Sequence, residues 1–272
     1  MKTRPAHRGF TLIEMLVVIA IVGLLAAISV PAFNNIKKSD AMVAATRQLL
    51  DDIGRARQLA ISRHTTVYMV FVPGGFWTDL GFTSLTPATQ SEKTNLFNKQ
   101  LTGYAFVTLR SIGAQPGERN PEYIGPWHTM PEETFIATNK FIDSTTFFYT
   151  ITDPPGVTTP NRTYRIYSFP RTTDVPFPSE DAWRDNNKTG NFARLPYLAF
   201  NYLGQLVSGA GDEYIPLARG PVLHGFDQQT RTARQALPTM VESPAGNGTN
   251  IINLIHIDRL TGRARLIQQE LQ

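Results

Sequence analysis

Apolar residues fill almost every position from 10 to 30 (FTLIEMLVVIAIVGLLAAISV), broken only by small residues and by Glu14. As a helix rising about 1.5 Å per residue, such a run spans about 30 Å, the thickness of a bilayer hydrocarbon core. A helix that is apolar all round has no polar face to turn to water, so the pattern predicts one membrane crossing over residues 10–30. From residue 32 to 62 the apolar positions narrow to a stripe. Met42, Leu49, Ile53, Ala56 and Ala60 recur at helical spacing, with Asp51, Arg55 and Arg63 on other faces. The anchor helix is therefore expected to continue, as an amphipathic segment over 31–63, into a folded domain where its stripe packs on a sheet.

Pro31 stands between the two halves. It lacks a backbone donor and crowds the carbonyl one turn back, so a kink or local melting over 25–30 and a plain helix end at the membrane surface are equally good readings.

Beyond residue 64 the pattern turns to short β-rich runs, at 65–72, 104–110, 145–152, 163–169, 196–202, 251–258 and 263–268. Glycines in Leu203-Gly204-Gln205 and Arg259-Leu260-Thr261-Gly262 supply the positive φ of tight turns, marking two hairpins. The second hairpin puts Arg263 and Arg265 on one face of the last strand, since strand side chains alternate. The polar or proline-rich stretches 73–103, 113–140, 153–162, 170–194 and 225–248 read as surface insertions. The fold class is α+β, a long helix packed on an antiparallel sheet or sandwich formed by residues 64–272.

Charge adds orientation. Lys2, Arg4 and Arg8 lie before the apolar run, and by the positive-inside rule they stay cytoplasmic, which puts the β-rich part on the far side. The net charge of +4 comes largely from them. Without these three, 23 Lys and Arg face 22 acids, so global charge points to no partner. The absence of cysteine excludes thiol catalysis, disulfides and cysteine-held metals.

An ordinary secretory signal cut near Ala27-Ile28-Ser29 is the plain alternative. It is disfavoured because the run exceeds the usual 7 to 15 residues, contains Glu14 and leads into an amphipathic helix. Glu14 is the informative residue: a carboxylate near a helix centre in lipid costs a few kcal/mol and needs a partner. A cut between Gly9 and Phe10 would create a cationic α-amine about one turn from it, on the same chain or on a neighbouring one.

No chemistry of catalysis emerges. The histidines at 7, 64, 128, 224 and 256 form no i, i+4 pair, and no nucleophile, phosphate-loop, metal or cofactor motif is present. Asp51 and Asp52 are neighbours about 100 degrees apart on a helix and read as a solvated face. Gly74-Gly75 reads as a loop, Trp77, Trp127 and Trp183 as local loop cores, and the Asn-X-Thr triplets at 161, 187 and 247 as chance matches.

Arg8-Gly9-Phe10-Thr11-Leu12-Ile13-Glu14-Met15-Leu16-Val17-Val18 resembles the class III signal of type IV pilins and type II secretion pseudopilins. The resemblance implies cleavage of a 1–9 leader after Gly9 by a prepilin peptidase, N-methylation of Phe10, an assembly role for Glu14, and a helix loosened at Pro31. It also implies a bacterial inner-membrane protein with a periplasmic domain, whose partners are other pilins or pseudopilins. The Leu49 to Arg63 segment, Leu198-Ala199-Phe200-Asn201-Tyr202-Leu203-Gly204 and the 255–265 segment are similar to H-type minor pseudopilins and FimT-like minor pilins. In some of the latter a GRxR element like Gly262-Arg263-Ala264-Arg265 is associated with DNA binding. Paired arginine forks suit phosphates, but affinity for DNA normally needs more cations than two, and exposed arginines on an edge strand also discourage aggregation. A structural subunit is the expected role, with capture of DNA or a secreted substrate as the alternative.

Overall fold

The computed structural model describes residues 12–78, 94–110, 120–142, 146–151, 162–179, 192–230, 234–250 and 253–268, with backbone alone at 28–40, 146–151, 162, 250 and 268. One helix, α1 (Leu12–Arg63), carries both the apolar run and the amphipathic stripe. Its backbone stays helical through Pro31, so a helix end at that residue, one of the two readings of the sequence, does not occur. The chain forms two units, Met1–Ala41 and Met42–Gln272. In the first, every described side chain from 12 to 27 is exposed.

In the second unit the expected stripe is the floor of the core. Met42, Leu49, Ile53, Ala56 and Ala60 are all at most 9% exposed, joined by Ala45. Burial of Leu49 and Ile53 contributes about 1.5–3 kcal/mol each. The helix stops without a glycine. His64 takes a left-handed φ of 50°, its N–H donates to the Ile61 carbonyl, and the Thr65 N–H donates back to Ala60, which together close a Schellman cap.

The strands follow in order as β1 (Val67–Phe71), β2 (Gly103–Thr108), β3 (Glu122–Tyr123), β4 (His128–Thr129), β5 (Thr134–Ile136), β6 (Thr146–Ile151), β7 (Arg162–Tyr167), β8 (Val175–Pro176), β9 (Phe192–Ala193), β10 (Tyr197–Phe200), β11 (Glu213–Arg219), β12 (Val222–Leu223), β13 (Thr239–Met240), β14 (Asn253–Ile257) and β15 (Ala264–Gln268). Among the described residues all pairings are antiparallel. One sheet runs β10-β1-β2, with β3 and β4 sharing the outer edge of β2; a second runs β15-β14-β11-β5; β6-β7, β8-β9 and β12-β13 are separate ribbons. The α+β class and the antiparallel sheets agree with the pattern of the sequence.

Strand alternation sorts the side chains. Met69, Phe71, Tyr104, Phe106, Leu198 and Phe200 of the first sheet face the helix, together with Ile215, Leu217, Ile255 and Ile257 of the second. The opposite face of the first sheet, with Val70, Ala105, Val107 and Ala199, is covered by Phe76, Leu96, Phe97, Val175, Phe177 and Leu195. Buried on both faces, β1 and β2 read as nearly continuous apolar runs.

This covering corrects the reading of 73–103 and 170–194 as surface insertions, because Phe76, Phe97, Val175 and Phe177 are at most 5% exposed. Likewise 113–140 holds β3, β4 and β5, and β13 lies in 225–248. The largest omission is β11, the strand shared by β14 and β5, whose Pro216 argues against an internal strand. The strand tolerates it at a handover: residues up to Pro216 pair with β14, and pairing with β5 begins at Leu217.

Candidate functional site

Glu14 lies in the first turn of α1 and is exposed, within a run where Leu12, Ile13, Leu16, Ile19, Val22, Leu24 and Leu25 are all more than half exposed. Gly9 and Phe10 lie outside the described residues, as does the leader. Among the described residues no helix is long and apolar enough to cross a membrane; the described side chains of the apolar run cover only 12–27 of the 10–30 stretch.

Asp51 is exposed as expected, but Asp52 is not part of a solvated face. It is 9% exposed and points at the first sheet. The Tyr104 hydroxyl donates a short hydrogen bond to Asp52 Oδ2, and His128 Nδ1 lies 3.5 Å from the same oxygen. Gln48 Nε2 donates to the Tyr104 oxygen at 2.9 Å and to the Thr129 carbonyl at 3.0 Å, and the His128 ring stacks on Tyr104. The cluster pins the helix to β2 and β4.

Burial raises the Tyr104 hydroxyl well above its ordinary value of 10.0, and its bond to Asp52 adds to the rise. Between pH 10 and that raised value the folded chain holds a proton that the unfolded chain has lost. This stability is complete below about pH 10 and declines as pH rises beyond it. Thermal melts from pH 9 to 11.5 should therefore fall more steeply for the native chain than for Tyr104→Phe, and equal slopes would refute the assignment.

A second polar constellation lies at the C-terminal hairpin. Arg265 stands opposite His256 in the β14–β15 register, and its Nε donates to His256 Nδ1 at 2.9 Å. Because an arginine only donates, the imidazole proton sits on Nε2, which donates to Asp212 Oδ2 at 2.8 Å. Asp212 Oδ1 accepts the Arg259 backbone N–H at 2.9 Å. That backbone bond, followed by the His256 bond, holds the Asp212 carboxyl below its usual range. Tyr214 stacks on His256 with centroids 4.8 Å apart, and Tyr164 meets Tyr214 at 5.4 Å. Arg263 falls one residue ahead of β15; its N–H bonds the Thr261 hydroxyl, and its side chain is exposed. Arg265 is exposed too, yet its Nε is engaged within the fold.

Residues 4–30 match the prokaryotic N-terminal methylation motif. The chain is 31% identical over 120 residues to the type IV major alpha-pilin of Moraxella bovis, a match that spans 42% of this chain and 71% of that protein. It belongs to the type IV pilin family. Two fimbrial proteins of Pseudomonas aeruginosa are 31% identical over 91 residues, 34% of this chain and 58% of theirs. No solved structure matches the chain significantly.

In this type IV pilin-family chain the domain also buries polar groups. Lys140, fully buried, donates to the Glu213 carboxylate and to the Tyr167 carbonyl at 2.6 Å, with its ammonium 4.6 Å from the Phe169 ring. The sequence carried no local signal for this pair, because its members lie 73 residues apart. Trp77 packs against Phe76 and Phe97, and Trp127 packs on Phe177 while donating to the Pro178 carbonyl, so both are loop cores as read. Trp183 lies outside the described residues. Among the described residues no three His, Asp or Glu side chains gather as a metal site.

Proposed function

We propose that this chain is a structural minor subunit of a type IV pilus or a type II secretion pseudopilus, of the H-type group that includes FimT-like minor pilins. The observation that carries this reading is the exposed apolar surface of α1 over 12–27, with Glu14 as its one charge. Such a surface is stable in lipid or against like helices, where packing and a neutralised carboxylate hold subunits together. In this reading a prepilin peptidase cuts after Gly9 and the new Phe10 amine is methylated. Residues 10–30 then hold the chain in the inner membrane, with the β-domain in the periplasm, until it joins other pilins. Glu14 pairs with the Phe10 amine of its own chain or a neighbour, and Pro31 lets the helix bend during entry into the filament.

Intact mass of the membrane-extracted protein tests the processing. The mature chain should begin at Phe10 and carry one added methyl, and Gly9→Val should leave the leader attached. A mature chain beginning at Met1 or near Val30 overturns the reading.

The exposure of Arg263 and Arg265 favours a second reading, DNA capture during uptake. Gel-shift titration of the full chain in detergent at several salt concentrations should then show affinity falling as salt rises, and Arg263→Ala/Arg265→Ala should reduce the shift. A shift that survives both substitutions, or none at low salt, eliminates it.

A further inference from the structure

Beside the Arg265–His256–Asp212 chain, the β7 strand and the start of β11 enclose a shallow hollow of about 550 Å³. Tyr164, Tyr167, Tyr214, Arg165, Gly211 and Asp212 line it. We propose that this hollow is a binding site for a neutral saccharide.

The first ground is the wall chemistry. Three tyrosines, rigid amphipathic side chains, lie along the hollow, and Tyr214 is steadied by stacking on His256 at 4.8 Å and by the edge of Tyr164 at 5.4 Å. A pyranose ring has a matching character, with C–H groups on its faces and hydroxyls around its edge. The size also fits, since small-ligand sites fall in the range of about 300–1,000 Å³.

The second ground is charge. Among the described residues the lining holds one cation, Arg165, and one anion, Asp212. A polyphosphate would meet the Asp212 carboxylate, and an organic cation would meet the Arg165 guanidinium. A neutral ligand rich in hydroxyls can use both groups, donating to Asp212 and accepting from Arg165.

The third ground is preorganisation. Asp212 is held by two donors, the Arg259 N–H and His256 Nε2, and His256 is held in turn by Arg265. A carboxylate has about four acceptor positions. Two are occupied from inside the fold, while the side chain remains 40% exposed, so its outward lone pairs are fixed in direction. An acceptor held this way loses little entropy when it takes a ligand hydroxyl. Arg265, one of the two arginines suggested for DNA, acts here as a positioning residue for Asp212.

Saturation-transfer NMR on the full chain in detergent micelles tests the proposal, with maltose, lactose and N,N′-diacetylchitobiose as separate probes. At least one should receive transfer, strongest on the C–H protons of one ring face. Tyr164→Leu and Tyr214→Ala should each weaken its binding by about tenfold, and Tyr164→Phe, which keeps the ring, should bind as the native chain does. Arg265→Ala should weaken binding and broaden the Asp212 side-chain signals, while Arg263→Ala leaves both unchanged. Should Tyr214→Ala fail to fold, Tyr164→Leu and Tyr167→Leu, on the outer ribbon, carry the test. Absence of transfer to all three probes overturns the proposal. Binding that survives the tyrosine substitutions does so as well, as does a single-stranded oligonucleotide that displaces the sugar through the same tyrosines.

Discussion

Glu213→Gln should destabilise the domain by about 3–5 kcal/mol, seen as a lower denaturant midpoint with an unchanged slope. Lys140 sits at the end of the 3-10 turn Thr138–Phe141 just after β5, with none of its side chain exposed. Its ammonium is neutralised by Glu213 at the start of β11 and bonded to the Tyr167 carbonyl of β7. Burial pulls the Lys140 amine below its ordinary value of 10.5, and Glu213 pushes it back up. Removing the carboxylate leaves only the burial effect, so the folded value drops further. Over the interval between that value and 10.5 the unfolded chain binds the extra proton, and stability rises with pH. The deficit of Glu213→Gln should therefore shrink as pH climbs from the variant's folded value to the native chain's, above which both gain stability together. Lys140→Met/Glu213→Leu should recover most of the loss, because apolar replacement of both partners removes the stranded charge. A Glu213→Gln variant within about 0.5 kcal/mol of the native chain at pH 7 would mean that the pair is solvated.

Gly262→Ala should cost more than about 2 kcal/mol, against a gain of about 0.5–1 kcal/mol for Gly54→Ala, a helical glycine with open space around it. Gly262 has φ +63°, and a Cβ there would lie 2.0 Å from the Gly204 carbonyl oxygen. That neighbour cannot retreat easily. Gly204 has φ +77°, its turn is tied by Asn201 Oδ1 to the N–H groups of Leu203 and Gln205, and Ile61 and Arg57 of the helix press on its other side. Arg57 also donates to the Thr261 carbonyl at 2.7 Å, and Leu206 N–H bonds the Arg259 carbonyl, so helix and both turns form one joint. Opening the joint moves the Arg259 N–H away from Asp212. Thermal melting reads the cost, and the Arg259 amide resonance reads the displacement; an unshifted amide with a native melting temperature would contradict this account.

The two turns in this joint were legible from glycines set between apolar runs, yet their mutual contact was not. Each turn is a local property of four or five residues, whereas the approach of Gly204 to Gly262 depends on how two sheet edges meet the helix. Asp52 makes the same point. Helical spacing separated it correctly from Asp51, but a charged residue beside a stripe is assigned to water unless its partner is known, and Tyr104 lies 52 residues away. The pairing of Arg265 with His256 was nearer to hand, since a hairpin turning at 259–262 brings those strands together. What was missing was Asp212, 44 residues before His256, in a segment preceding a strand that Pro216 concealed.

By itself, the sequence determined the elements that rest on short-range periodicity and charge. These are the apolar run with Glu14, the stripe from Met42 to Ala60, seven of the strands, and an N-terminal signal specific enough to suggest the family. Local pattern suffices there because neighbouring residues impose the constraint. The tertiary structure alone decided which loops become a second core, how β11 joins its partners around Pro216, and which polar groups are buried together. Those outcomes depend on burying Lys140, Asp52 and His256 beside complementary groups far along the chain, where the cost of desolvation is met only once the sheets have assembled.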